Sequence, residues 1–316
     1  MINVGNTPLI EVDGIYAKLE CVNPTGSIKD RMVQYVLDKS EKQGILTHGM
    51  TIIEATSGNT GIALSYFGRE KGYPVTIIMP SDMSEERKEM ITSLGAELIL
   101  VSPGNFRKAG KLRDKMASQD PKYFNTRQFS NPLNVQCHYE TTGQEIIKQM
   151  NGKSIDAFVA GVGTGGSLIE IAKALKEVNP NLIIVAVEPY ESSVMSGGKS
   201  GSHTIQGIGD GFIPQIVGDG NGGLHELIDD IIRVKSDFAK EATKYLSHRK
   251  GFCVGVSSGA NYLASRKLHH DVGNIVTIFP DGFGKYKSFG LTHCERGRCP
   301  YEKDRKDVLV QLNIST

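Results

Sequence analysis

The strongest constraint on this chain is a repeated order of patterns. A short apolar run ends in a turn of Gly, Ser, Thr or Asn, and a helical pattern follows. Residues 51–54 precede a helix expected over 60–71, 75–79 precede 84–94, 97–101 precede 107–118, and 156–160 precede 166–176. Runs at 15–20, 182–188 and 274–279 read as further strands, and 141–150, 237–248 and 258–269 as further helices. Alternation of this kind predicts parallel strands with helices on both faces. A chain of 316 residues also exceeds the usual size of one core. The expected fold is therefore α/β with two doubly wound domains, a larger one from residues 1–32 plus 133–316 and a smaller one from 33–132. Ligands in such sheets bind outside the carboxyl ends of the strands, so the crevice between the domains is the expected site.

Charge narrows the partners. A formal net charge of +1, with no basic stripe, argues against nucleic acid. No basic start with an apolar run opens the chain, and no stretch is long enough to span a bilayer, so a cytoplasmic protein without a membrane partner is expected. The cysteines, Cys21, Cys137, Cys253, Cys294 and Cys299, are odd in number and scattered, which suits reduced thiols. His293 with Cys294 and Cys299 matches no common zinc spacing, and no metal is expected. Residues 197–223 are glycine-rich with little periodicity, as a substrate-covering segment would be. The tail beyond Gly282 is polar and mixed in charge, which predicts surface structure or a subunit contact.

Three turns carry candidate chemistry. In Asn23-Pro24-Thr25-Gly26-Ser27-Ile28-Lys29-Asp30-Arg31 a lysine stands where a turn gives way to a helix, with Ser27 able to cap. The helix dipole and partial burial both lower the pKa of an amine held there, as a Schiff base with pyridoxal phosphate requires. The plain alternative is a solvated lysine. Gly161-Val162-Gly163-Thr164-Gly165-Gly166 follows an apolar run and opens a helix, so its N–H groups can cradle a phosphate. By spacing alone Gly161, Gly163 and Gly166, with Glu188 about twenty residues on, favour an NAD-dependent oxidoreductase. Thr56-Ser57-Gly58-Asn59-Thr60-Gly61 likewise presents hydroxyls and N–H groups at a helix start and suits an anion, or is simply a well-capped helix.

Together these motifs resemble those of the fold-type II pyridoxal-phosphate enzymes, in particular the cysteine synthase (O-acetylserine sulfhydrylase) and cystathionine β-synthase group. The resemblance runs from Gly5-Asn6-Thr7-Pro8-Leu9 to Pro280 and includes Val187-Glu188-Pro189. It implies pyridoxal 5'-phosphate as cofactor, bound covalently by Lys29. Gly163, Thr164, Gly165, Gly166 and Ser167 take its phosphate, Asn59 its ring hydroxyl, and Ser257, with Ser258 the open alternative, its pyridine nitrogen. The substrate carboxylate falls to Thr56, Ser57, Gly58, Thr60 and Gln128, with Gly209 in the loop at the mouth, and Glu188 becomes structural. The implied reaction is β-replacement on an L-serine derivative or L-cysteine through an aminoacrylate, with sulfide, water or a thiol as second substrate. Lys29 is the general base and the protein a homodimer. A catalytically silent binding protein is the remaining alternative.

The chain departs from the family pattern twice. After the last strand, where cysteine synthases read Gly-Glu-Arg-Tyr, this chain has Gly282-Phe283-Gly284-Lys285-Tyr286, which predicts a different cofactor rim or carboxy-terminal packing. In Gly207-Ile208-Gly209-Asp210-Gly211-Phe212, Asp210 replaces a small residue. Sulfide needs no base near neutral pH, whereas water or a protonated thiol gains from a carboxylate. Asp210 is thus the candidate catalytic residue for a cysteine-consuming, hydrogen sulfide-releasing enzyme, the alternative to a plain cysteine synthase.

Overall fold

The computed structural model describes residues 3–269, 271–289 and 291. The strands are β1 (Leu9–Val12), β2 (Ile15–Leu19), β3 (Thr51–Ala55), β4 (Val75–Pro80), β5 (Glu97–Val101), β6 (Tyr123–Asn125), β7 (Ala157–Gly161), β8 (Ile183–Pro189), β9 (Asp230–Val234) and β10 (Ile275–Phe279). The helices are α1 (Lys29–Lys42), α2 (Asn59–Lys71), α3 (Glu85–Ser93), α4 (Phe106–Gln119), α5 (Pro132–His138), α6 (Gln144–Met150), α7 (Gly166–Val178), α8 (Ser236–His248) and α9 (Val256–Leu268). One sheet has six strands in the order β1-β2-β10-β7-β8-β9, the other four in the order β5-β4-β3-β6. Every pairing is parallel except β1 with β2. That hairpin turns on Asp13 and Gly14, at φ +50° and +79°, the left-handed pair that a tight two-residue connection demands.

Helices cover both faces of each sheet, so β4, β7 and β10 are nearly or fully buried and read as apolar runs, interrupted only by the buried Thr76 and Thr277. On the larger sheet Ile15, Ala17, Leu19 and Phe279 pack under Ala239 and Leu246 of α8 and Ala260 and Ala264 of α9. Phe158, Ile184 and Val276 face Ile146 and Met150 of α6 and Leu168, Ile171 and Leu175 of α7. On the smaller sheet Ile52 and Ile77 meet Met32, Val33, Val36 and Leu37 of α1 and Ile62 of α2, while Ala109 of α4 closes the other face.

Three sequence expectations change. The helix expected over 141–150 is α6 preceded by a π-helical turn, Tyr139–Gly143, and by α5. Residues 283–286 do not form surface: Phe283, Lys285 and Tyr286 are buried, packed beneath the lysine turn. Cys21 and Cys137 are free thiols, but Cys253 is engaged in a disulfide, which corrects the expectation of reduced thiols throughout. His293, Cys294 and Cys299 lie outside the described residues. Among the described residues no His, Cys, Asp and Glu cluster could hold a metal, and no helix is long and apolar enough to cross a membrane.

Candidate active site

The carboxyl ends of the central strands converge. From β2 the chain passes through a short turn to Lys29, and β7 delivers the glycine loop. The segment after β10 is tied to the lysine turn by Ile28 N–H donating to Pro280 O at 2.8 Å and Gly282 N–H to Gly26 O at 3.1 Å. The smaller sheet contributes the turn after β3 and the loop after β6. Between them lies a pocket of about 730 Å³, its mouth included.

Lys29 stands at the first position of α1. Ser27 does not cap through the residue before the helix, which is Ile28; instead its Oγ accepts the Lys29 N–H at 3.3 Å. Burial pulls the Lys29 amine below the ordinary lysine range, against the carboxylates of Asp210 and Asp281. Asp30 turns away from the pocket, accepting the Thr25 N–H at 2.6 Å, and burial raises its carboxyl to about 6.

At the glycine loop the backbone itself makes the wall. A Cβ on Gly163 would meet the Gly207 carbonyl oxygen at 2.3 Å, and one on Gly165, at φ +89°, would meet Val217 Cγ2 at 2.1 Å. Thr164 Oγ1 accepts from Asn134 Nδ2 at 3.1 Å, and Ser167 Oγ pairs with His138 Nε2 at 3.1 Å. Burial holds His138 well below the usual imidazole range, so it is neutral. The first turn of α7 opens at this corner, with Gly166 N–H donating to Thr164 Oγ1 at 3.4 Å, and a helix start of this kind suits a phosphate. Glu188 is spent elsewhere. Its two oxygens accept the N–H groups of Met195 and Ser196, so it braces its own loop and does not serve a ribose.

Lys29, Ser57, Asn59, Thr60, Gln128, Gly163, Thr164, Gly165, Ser167, Asp210 and Ser257 all line the pocket. Thr56, Gly58, Gly166 and Gly209 do not, and act on its shape. Thr56 Oγ1 accepts the Gly58 N–H at 3.1 Å. Gly58, at φ +139°, lies over Arg87, whose Cδ would be 2.3 Å from a Cβ there, and Gly166 packs on Asn134. The Gly209 carbonyl is turned towards His203 and Ser192. Thr60 donates to Gln128 Oε1 at 2.6 Å, and Gln128 Nε2 donates to Ala55 O at 2.8 Å, which joins the two loops of the smaller sheet. Ser257 faces the pocket at the start of α9, while Ser258 is buried behind it with an unpartnered hydroxyl. Sequence reasoning missed Phe129, Gly207, Ile208 and Asn261 in the lining, and Asp281 and Lys285 beneath it. Asp281 stands two residues past the end of the apolar strand β10, after Pro280, the one signal that pointed to it.

A family model described as pyridoxal-phosphate dependent enzyme matches residues 1–281. The chain belongs to the fold-type II pyridoxal-phosphate dependent enzymes. It is 40% identical over 299 residues to a cysteine synthase of Staphylococcus aureus, covering 91% of this chain and 94% of that one. Among solved structures it resembles the cysteine synthase of Entamoeba histolytica, at 37% identity with a TM-score of 0.83, over 99% of this chain and 94% of the other. It also resembles a hydrogen sulfide-producing enzyme of Fusobacterium nucleatum, at 41% identity with a TM-score of 0.81, over 92% and 87%. Membership of this family makes pyridoxal 5'-phosphate the cofactor. The pocket fits it: a desolvated amine, a glycine cradle at a helix start and the hydroxyls and amides of Ser57, Asn59, Thr60 and Ser257 line one cavity.

Proposed function

We propose that this enzyme is a cysteine synthase, replacing the acetoxy group of O-acetyl-L-serine by sulfide to give L-cysteine and acetate. The observation that carries the reading is the single pocket shared by the desolvated Lys29, the glycine cradle and the Ser57–Asn59–Thr60 turn. Pyridoxal phosphate, when bound, supplies an aldehyde that condenses with amines and a conjugated ring that accepts the electron pair freed at the α-carbon. Gly163 to Ser167 would hold its phosphate, Asn59 its ring hydroxyl and Ser257 its ring nitrogen. A hydroxyl partner leaves that nitrogen uncharged and the ring a weaker electron sink, which suits β-elimination. The substrate carboxylate would dock on Ser57, Thr60 and Gln128 at the positive end of α2. Lys29 Nζ, lowered in pKa by burial, would take the α-proton as acetate leaves and return it once sulfide has bonded to the β-carbon.

The test joins colour to turnover. Purified protein is expected to absorb in the visible, and Lys29→Ala to lose both the band and cysteine formation. A colourless wild type that cannot be reconstituted overturns the reading.

One observation favours a second reaction at the same site. Asp210 lines the pocket, and burial raises its carboxyl to about 6, opposed by the Lys29 cation. A carboxylate poised there is suited to deprotonate water or a thiol, so the enzyme would consume cysteine and release hydrogen sulfide. We also infer a cytoplasmic homodimer divided into domains of residues 1–32 plus 133–316 and 33–132. The packing of Val33, Val36 and Leu37 against the smaller sheet supports a first boundary near the start of α1, with Met32 already on the smaller sheet's side of it. Light scattering that finds only monomer at micromolar concentration refutes the dimer.

A further inference from the structure

Asn59 sits between two partners of opposite and fixed polarity. Its Nδ2 donates to Asp281 Oδ2 at 2.8 Å, and its Oδ1 accepts from Lys285 Nζ at 3.0 Å. An ammonium can only donate and a carboxylate oxygen here only accepts, so the amide has one orientation and cannot flip. The same ammonium donates to Gly26 O at 3.1 Å, in the turn that presents Lys29. Asp281 is held in turn by Tyr286 OH at 2.7 Å, and Tyr286 receives Arg87 Nη2 at 2.8 Å. Lys285 and Asp281 are buried, at 2% and 0% exposure, so both bonds act in a low-dielectric setting.

We propose that Lys285 is a positioning residue for the cofactor: by fixing the Asn59 amide it keeps that residue's remaining Nδ2 hydrogen available to the cofactor's ring oxygen and ties the Asn59 turn to the Lys29 turn. This rests on the assignment of Asn59 to that oxygen. Without Lys285 the Asn59 carbonyl loses its donor, the amide gains a second orientation, and the ring oxygen meets a lone pair in part of the molecules. Lys285 thus gives a purpose to the altered segment after β10.

The experiment measures cofactor dissociation, the pH titration of the visible band, and thermal melting of the cofactor-free chain in Lys285→Met, Lys285→Arg, Asp281→Asn and Asn59→Ala. Lys285→Met is expected to weaken cofactor binding about tenfold, the size of one charge-assisted hydrogen bond, and to move the titration. Lys285→Arg, still a donor only, is expected to restore both. Asp281→Asn perturbs the opposite end of the amide and is expected to move the same two readouts, which keeps the test open if Lys285→Met folds poorly. If the Lys285 and Asp281 variants lower melting but leave cofactor affinity and titration at wild-type values, Lys285 is a clamp of the fold and the proposal falls. If Asn59→Ala itself leaves both unchanged, the assignment of Asn59 falls first and the proposal with it.

Discussion

Replacing Asp210 by Asn is expected to make the protein more stable and less able to release sulfide from cysteine. In the folded chain burial lifts this carboxyl from 3.8 to about 6, with the Lys29 cation opposing. The folded state therefore holds the proton more tightly than the unfolded chain. Stability falls as pH rises from about 4 to about 6, and the whole cost persists above that. A shift of about two units corresponds to about 3 kcal/mol at 1.36 kcal/mol per unit. Asp210 is half-buried, so solvent screening reduces this to about 1–2 kcal/mol. Asp210→Asn keeps the shape without the charge. Urea denaturation at pH 8 is expected to show that gain, shrinking towards zero by about pH 4. In parallel, sulfide release from L-cysteine should drop at least tenfold while cysteine formation from O-acetylserine persists. A variant no more stable than wild type at pH 8 refutes the desolvation argument. Unchanged sulfide release removes the carboxylate from the chemistry and leaves the plain cysteine synthase.

Two further substitutions probe the glycine loop and its support. Gly163→Ala puts a methyl 2.3 Å from the Gly207 carbonyl oxygen, a backbone atom that cannot swing aside; cofactor affinity should fall more than tenfold while circular dichroism stays near wild type. His138 is held neutral in the folded chain, whereas its unfolded value is 6.5, so its burial costs stability as pH falls below 6.5. His138→Gln should flatten that acid limb in denaturation measured between pH 7.5 and 5.5, and an unchanged limb refutes the assignment.

What was legible in the sequence follows from local physics. Parallel strands buried on both faces must be largely apolar, so β3, β4, β7, β8 and β10 announce themselves. Helix starts that must receive an anion need small or hydroxyl-bearing residues, so the turns at Ser57, Gly163 and Ser257 stand out. The spacing of Gly161, Gly163, Gly166 and Glu188, taken alone, favours a dinucleotide fold. What separates the readings is where Glu188 points, inward to Met195 and Ser196, and spacing does not encode direction. The hidden part is polar. Arg87, Asp281, Lys285 and Tyr286 look like surface residues by type, and their bonds to one another and to Asn59 offset part of the cost of burying them, while Arg87 Nε and Nη1 and Asp281 Oδ1 have no hydrogen-bond partner among the described residues. β6, with three residues, and β9, at the end of a glycine-rich stretch, were too short or too isolated to show as periodic runs.

The pairing of Ile15 with Ile275 has a consequence for how the enzyme comes into being. The strand that leads to Lys29 leaves the ribosome well before the parallel neighbour that fixes it, β10, which follows every other described strand. The four strands of the smaller sheet all fall between residues 51 and 125 and can associate meanwhile. A nascent chain halted before β10 would therefore carry a finished lobe and a lysine turn lacking the Pro280 carbonyl and Lys285 ammonium that brace it. Capacity to hold the cofactor should then appear in one late step, when the final strand slides between β2 and β7.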